Sequence, residues 1–397
     1  MSKHESHAAE GSLRKLGRYP VLLLCILFFA GIFALDLATP DRERSELENK
    51  TLTQRPSLSL ENFSAQTLNS FFNSYTQYVK DQVAGRDLWI SFQSLVETTV
   101  FQKTQSGGIL LGKEKMMFPR TFSLLSGETR TFPRNMAALE SLAQRYPGRV
   151  NVMVVPSAAS IYPENLPASA PVLDEAAYLL EIKNAVEGAG GSFIEVQPVL
   201  SSHKDEYIYY RTDHHWTTLG AWYAYDALCD ALGLVPFDLS AHTAVTVENF
   251  YGTHYSKART WNAEPDAITY YDLPNQLTVY TVTGAGMPES GETGKLYDLD
   301  KFGTYDKYAA FLRGNNGLSR IEGDGEGKIL VLKDSYANSF APYLTANYEA
   351  VDVVDFRNYN YGLDALIEEN EYDQILVLYS FDSFKSDPYL YRAGIAG

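Results

Sequence analysis

A parallel α/β sheet covered by helices, standing behind one membrane-spanning helix, is the fold class that this sequence predicts. Three observations lead there. Short runs rich in β-branched and aliphatic residues recur along the chain: RVNVMVV (149–155), SFIEV (192–196), KILVLK (328–333), AVDVV (350–354) and QILVLYS (374–380). Stretches of helical period near 174–188, 217–233 and 362–370 alternate with them, the pattern of parallel strands buried on both faces by their crossover helices. The third observation is YPVLLLCILFFAGIFAL (19–35), uncharged and mostly apolar, which at 1.5 Å per residue comes close to spanning about 30 Å of hydrocarbon.

The elements follow in chain order. Residues 1–18 hold Lys3, Arg14, Lys15 and Arg18, whereas Asp36, Asp41 and Glu43 come after the apolar run; this bias makes 1–18 a cytoplasmic tail and 19–36 the anchor. A cleaved signal peptide is the rival reading, but the apolar region is long for one and Ile32 to Ala34 makes a poor cleavage site. The rest of the chain is therefore expected outside the cytoplasm, at the cell membrane. Residues 37–60 are charged and punctuated by proline, as a stalk would be. A helical lead-in follows at 61–104, with Leu68, Phe71, Phe72, Tyr75, Tyr78 and Val79 on one amphipathic helix and Trp89, Phe92, Leu95 and Val96 on a second, joined by DQVAGRD (81–87). Residues 105–397 form the main domain, in which 240–325, rich in turns, glycine and tyrosine, interrupts the alternation as an irregular insertion or cap.

Composition narrows the partners. With 33 basic and 49 acidic side chains, the net charge of -16 repels phosphate backbones and argues against nucleic acid; a neutral or polyhydroxylated partner fits better. The 2 cysteines, Cys25 and Cys229, are not expected to pair, because Cys25 falls within the apolar run.

Chemistry concentrates in two places. After the strand KILVL the chain turns through Lys333, Asp334, Ser335, Tyr336, Ala337 and Asn338 into a helix. A serine at such a turn projects its hydroxyl over the sheet edge while the first amides of the helix can serve an oxyanion; otherwise Asp334 or Ser335 merely caps the helix. YYRTDHHWTTLGAW (209–222) supplies a base and an orienting acid. Thr212 or Asp213 is expected to start a helix whose apolar stripe is Ala221, Tyr225, Leu228 and Leu232, which places Asp213 and His215 just before or within its first turn, so the carboxylate can fold back on one ring nitrogen and leave the other outward. Asp213, His214 and His215 are all metal-ligand types, but no His-x-x-x-His, Glu-x-x-His or cysteine set completes a shell, and no metal or other cofactor is expected. His214 and Trp216 are given supporting roles, Trp216 as core or as a wall of the site. Ser157, in VVPSAASIYPENLP (154–167), and Arg357 with Tyr359, in DFRNYNYG (355–362), follow other strands and are substrate-contact candidates; a plain loop and a surface salt bridge by Arg357 are the structural alternatives.

Taken together, DQVAGRD, PSAASIYPENLP, TDHHWTTLGAW, FYGTHYSKA (250–258) and LVLKDSYANSF resemble the DHHW protein family, from about Glu46 to the C-terminus. More distantly the chain is similar to the SGNH-hydrolase-like acetyltransferases of alginate O-acetylation, of the AlgJ and AlgX type. The resemblance implies an SGNH-hydrolase-like fold in which Ser335 is the nucleophile, His215 the general acid and base, and Asp213 its orienting acid, in that unusual chain order. It implies an extracytoplasmic O-acetyltransferase acting on cell-surface or secreted polysaccharide, fed by a membrane-bound O-acyltransferase partner. A carbohydrate esterase with the same triad, and a non-catalytic polysaccharide-binding or assembly protein, are the alternatives. No Gly-x-Asn-Asp block is present, so amides near Ser335 and Tyr336 are expected to serve the oxyanion, with Arg357 as helper.

Overall fold

The computed structural model describes residues 19–48, 50–57, 64–281 and 290–395; the expected cytoplasmic tail lies outside them. Two compact units divide after Gln93. The first contains α1 (Pro20–Ala38), a 19-residue helix apolar and long enough to cross a membrane, none of whose residues is buried. It also holds α2 (Ala65–Gln82) and the start of α3 (Arg86–Thr99), turned by Gly85 at φ +70°. The segment expected as a stalk is partly folded. Arg44–Ser45 pairs with Lys50–Thr51, and the buried Asp81 carboxylate accepts from Lys50 Nζ (2.8 Å) and from the amide (3.0 Å) and hydroxyl (2.8 Å) of Thr53. A buried carboxylate needs such donors, and they tie residues 50–53 to α2.

In the second unit a small antiparallel sheet comes first, with strands β1 (Gln105–Ser106), β2 (Ile109–Leu111) and β3 (Met117–Pro119). The main domain continues with α4 (Glu128–Arg145), β4 (Val150–Val155), α5 (Glu175–Gly188), β5 (Ser192–Phe193), α6 (Thr218–Leu232), β6 (Ala244–Phe250), α7 (Thr253–Ala258), β7 (Asp266–Tyr271), β8 (Gln276–Tyr280) and β9 (Gly291–Lys295). It ends with β10 (Leu318–Glu322), β11 (Lys328–Lys333), α8 (Ala337–Phe340), β12 (Ala350–Val354), α9 (Leu363–Asn370), β13 (Gln374–Ser380) and α10 (Phe381–Ser386).

The central sheet runs β9-β8-β10-β12-β11-β13-β4-β5. From β12 to β5 the strands are parallel, as predicted, and SFIEV contributes only Ser192–Phe193. The remaining three strands are antiparallel. They come from the stretch expected to be an irregular insertion, which also forms the β6–β7 hairpin; the sheet is therefore mixed. Burial on both faces explains the continuous hydrophobic runs. Ile329 and Val331 enter one core with Ala221, Tyr225 and Leu228 of α6, while Leu330 and Leu332 enter the other with Leu139 of α4, Ile182 of α5 and Leu366 of α9.

The antiparallel extension is riveted to the parallel sheet by a buried ion pair. Arg320 stands opposite Asp352 in the β10–β12 register and gives it two 2.6 Å hydrogen bonds, and Tyr372 donates to the same carboxylate. Asp352 is 0% exposed. Arg320→Met should therefore lower unfolding stability by about 3 kcal/mol in urea titration, with most of the loss recovered when Asp352→Asn is added, because a stranded buried charge costs more than a neutral pair.

Candidate active site

β11 ends where the chain must leave the sheet, and Asp334 fixes how it does so. Its Oδ1 accepts from the Tyr336 amide (2.9 Å) and its Oδ2 from the amide (2.9 Å) and hydroxyl (2.7 Å) of Ser380, at the end of the neighbouring β13. Asp334 is thus the structural residue of this turn. Ser335, unlike the residues on either side of it, is only partly buried, and it presents its hydroxyl at the carboxyl end of the parallel strands, where ligands bind in open α/β sheets.

The loop before α6 meets it there. Ser335 Oγ lies 2.7 Å from His215 Nε2, and His215 Nδ1 lies 2.5 Å from Asp213 Oδ1, which also accepts from the His215 amide (3.0 Å). Asp213 Oδ2 accepts from the Thr253 amide at 2.7 Å. Burial works to raise the Asp213 pKa, but the imidazole of His214 beside it and the hydrogen-bonded His215 overcome it and hold the carboxyl well below its usual range. An ionised Asp213 requires the proton on His215 Nδ1, which leaves Nε2 as an acceptor for the Ser335 hydroxyl. Burial, reinforced by neighbouring His214, pushes His215 down to about 4, so the ring is neutral at pH 7.

The supporting frame extends outward from Thr212. Its amide (2.8 Å) and hydroxyl (2.5 Å) donate to Asp266 on β7, and that hydroxyl accepts from the Gly252 amide (3.0 Å). Gly252 lies so close to Asp213 that a Cβ there would fall 2.2 Å from Asp213 Cβ; only glycine lets α7 deliver the Thr253 amide. Tyr308 stacks on the His215 ring at 3.8 Å between centroids and 12° between planes, and donates to the Ser335 carbonyl at 3.1 Å.

Among the predicted site residues, Asp213, His215 and Ser335 come together. His214 is partly exposed, with Nδ1 2.7 Å from Thr253 Oγ1; at 3.6 Å from Asp213 Oδ1 it is too far for a hydrogen bond. Trp216 is no wall of the site. It is fully buried, and its Nε1 donates at 3.1 Å to both the Tyr336 carbonyl and Ser339 Oγ, pinning the Ser335 turn from below. The Tyr336 amide is taken by Asp334 and its hydroxyl by the His214 carbonyl, so it is not free for an oxyanion; the Ser335 amide has no protein acceptor among the described residues.

Three other candidates are engaged within the protein, two of them, Ser157 and Arg357, in the way their structural alternatives described. Arg357 is locked to Asp355 through Nε (2.8 Å) and Nη2. Tyr359 is buried, its hydroxyl 3.3 Å from the Gly362 carbonyl, and cannot reach a substrate. Ser157 gives its hydroxyl (2.5 Å) and amide (2.8 Å) to buried Glu175. Asp213, His214 and His215 offer ligand atoms within 4.8 Å of one another, but both His215 nitrogens, His214 Nδ1 and both Asp213 oxygens already have hydrogen-bond partners.

Sequence reading missed Gly252, Thr253, Asp266 and Tyr308. The first two lie inside the FYGTHYSKA motif, whereas nothing in the sequence around Tyr308 signals its stacking partner.

The DHHW protein family model matches residues 133–354. This chain belongs to the DHHW family. A search of the curated proteins gave no match. Among solved structures, a DHHW family protein from Eubacterium siraeum is similar at TM-score 0.59 and 23% identity, covering 74% of this chain and 97% of its own. PatB1 from Bacillus cereus follows at TM-score 0.54 and 18% identity, covering 71% and 98%, and has also been solved with a sulfonyl adduct. The O-acetyltransferase domain of Pseudomonas putida AlgJ, at TM-score 0.43 and 13% identity over 70% and 92%, is too distant to carry an argument. The first two likenesses establish the fold.

Gly252→Ala, which pushes on Asp213 without altering its chemistry, should slow acylation of Ser335 by an activated ester about a hundredfold, with an unchanged circular dichroism spectrum. The same burial gives a pH signature. His215 is held at about 4 and, mainly by burial, His254 at about 3, against about 6.5 in the unfolded chain. From pH 6.5 down to about 4 the unfolded state thus takes up protons that the folded state refuses, and stability falls. His214, held above its usual value by Asp213 against burial, has the opposite sign, but its partly exposed ring is screened by solvent. Between pH 6.5 and 5 the two buried histidines should together cost about 3 kcal/mol in urea titration, against a gain of roughly half that from Glu175, which burial raises to about 7. His254→Phe should remove roughly half of the histidine cost.

Proposed function

We propose that this protein is a membrane-anchored, extracytoplasmic O-acetyltransferase that acts on cell-surface or secreted polysaccharide through an acyl-serine intermediate. The observation that carries the reading is the continuous hydrogen-bonded line from Asp213 through a neutral His215 to Ser335. Ser335 Oγ attacks the acyl carbonyl carbon as its proton passes to His215 Nε2, and the tetrahedral intermediate collapses when the donor's alkoxide leaves with that proton. An acceptor hydroxyl then gives its proton to Nε2, its oxygen bonds to the acyl carbon, and Ser335 departs reprotonated. Asp213 stays ionised throughout and stabilises the transient imidazolium.

The Ser335 amide is the donor proposed for the oxyanion, in place of the Tyr336 amide and Arg357. The sulfonyl adduct of PatB1 supports an activated nucleophile in this fold, since sulfonylating reagents trap such groups. α1, preceded by basic residues, would hold the domain outside the cytoplasm beside a membrane-bound O-acyltransferase that supplies the acetyl group, raising its effective concentration.

Incubating the detergent-solubilised full chain with an activated acetyl ester should place acetyl on Ser335 by mass spectrometry, and an oligosaccharide should then receive it. Ser335→Ala should lower turnover by at least about a thousandfold. Free acetate released at a rate that no acceptor changes would mark an esterase; no acetyl on Ser335 and no acetate would mark a non-catalytic protein.

A further inference from the structure

Beside the small β1–β3 sheet lies a cavity of about 310 Å³, outside the triad and lined by Thr99, Thr104, Lys115, Asn262 and Trp261 over a floor that includes Met116 and Met117. We propose that it is an acceptor subsite that seats a sugar ring of the glycan against Trp261; this rests on the acetyl-transfer reading for its purpose but not for its test.

Trp261 is the odd one among the four tryptophans. Trp89, Trp216 and Trp222 each donate their indole N–H to a protein acceptor, whereas Trp261 is 64% exposed and its N–H has no protein acceptor among the described residues. An indole face held open at a cavity rim suits the C–H face of a pyranose, and its N–H suits a ring hydroxyl. The other groups at the rim have matching chemistry. Of the four threonines and two lysines of the lining, Thr98 and Thr99 donate to helix carbonyls and Lys103 pairs with Glu97; the Thr104 and Thr260 hydroxyls, the Lys115 ammonium and the Asn262 amide can bond to sugar hydroxyls, and no carboxylate lines the cavity in a chain whose net charge is -16. An apolar floor with a few polar groups around it is the usual make-up of a small-molecule site.

A second observation is the backbone of the rim. Glu114 and Lys115 both adopt left-handed φ values, 52° and 59°, in a tight turn closed by hydrogen bonds from the Gly112 amide to the Met116 carbonyl (2.8 Å) and from the Met116 amide to the Lys113 carbonyl (3.0 Å). Asparagine and glycine relax such a turn. The turn carries exposed Lys115 at the cavity lining.

The cavity is also fixed to the triad along two of its walls. The Met117 amide donates to the Arg211 carbonyl at 2.9 Å, two residues before Asp213. α7, whose Thr253 amide holds Asp213, is followed by Arg259 and then by Thr260, another lining residue; the helix is about 9 Å long at 1.5 Å per residue. The cavity walls and the loops that hold Asp213 are thus parts of one hydrogen-bonded frame.

The test separates binding from chemistry. Full chain carrying Ser335→Ala is titrated calorimetrically with cellohexaose, chitohexaose and hexamannuronate, which present plain, acetamido and acidic β-linked sugars. At least one should bind, Trp261→Ala in the same background should weaken it about tenfold, and Trp261→Phe should restore most of the affinity. In the otherwise native chain, Trp261→Ala should leave the rate of Ser335 acetylation by a small ester unchanged and raise KM only for the hexasaccharide. No binding by any probe, or equal binding by Trp261→Ala, overturns the subsite. Binding that depends on Trp261 while native Ser335 never becomes acetylated overturns the transferase reading and leaves the subsite standing.

Discussion

The site depends on one buried carboxylate. Asp213 is 3% exposed, and removing it from water is tolerable only because three hydrogen bonds, from the amide and ring of His215 and from the Thr253 amide, surround it. Those donors come from two separate parts of the chain. Thr212 binds the two together by giving its hydroxyl to Asp266 and accepting from Gly252, so the ionisation of Asp213, the orientation of His215 and the seating of α7 form a single arrangement. The missing Cβ of Gly252 is the geometric condition for it.

The sheet supplies the other half. Ser335 stands where it does because β11 is buried on both faces and ends at a residue, Asp334, whose carboxylate is held by β13 and by the turn itself. Trp216 ties the halves together, since it lies one residue after His215 yet bonds to Tyr336, one residue after Ser335. A mixed sheet serves this purpose as well as a parallel one would, because the antiparallel strands extend the edge beyond β12, away from β13 and β4.

Much of this was legible in the sequence. Period and composition marked the five parallel strands and the three helices because each is buried by a repeating pattern: KILVLK reads as a two-face strand for the same reason that it occupies the centre of the sheet. Asp213, His215 and Ser335 could be read because a serine at a strand-to-helix turn needs a base, and the only His-rich stretch also supplies an acid. Other features depend on contacts between residues far apart in the chain. Tyr308 is an ordinary aromatic in a loop until it stacks on His215. Tyr359 and Arg357 looked well placed after a strand, but burial takes the first and Asp355 the second. The strands of 240–325 were hidden because turn residues dilute their alternation, and their pairing with β12 is set by Arg320 and Asp352, 32 positions apart. For the stalk, charge and proline suggested solvated chain, while the donors to Asp81 lay unannounced within it.

The most direct measurement of the arrangement is the protonation state of His215 at pH 7, read from 15N-histidine NMR of the full chain and assigned by difference with His215→Gln. A neutral ring with its proton on Nδ1, lost to a mixture of tautomers in Asp213→Asn, is the predicted result. An imidazolium at pH 7, or a neutral ring protonated on Nε2, would leave no acceptor for the Ser335 proton and would contradict the mechanism at its centre.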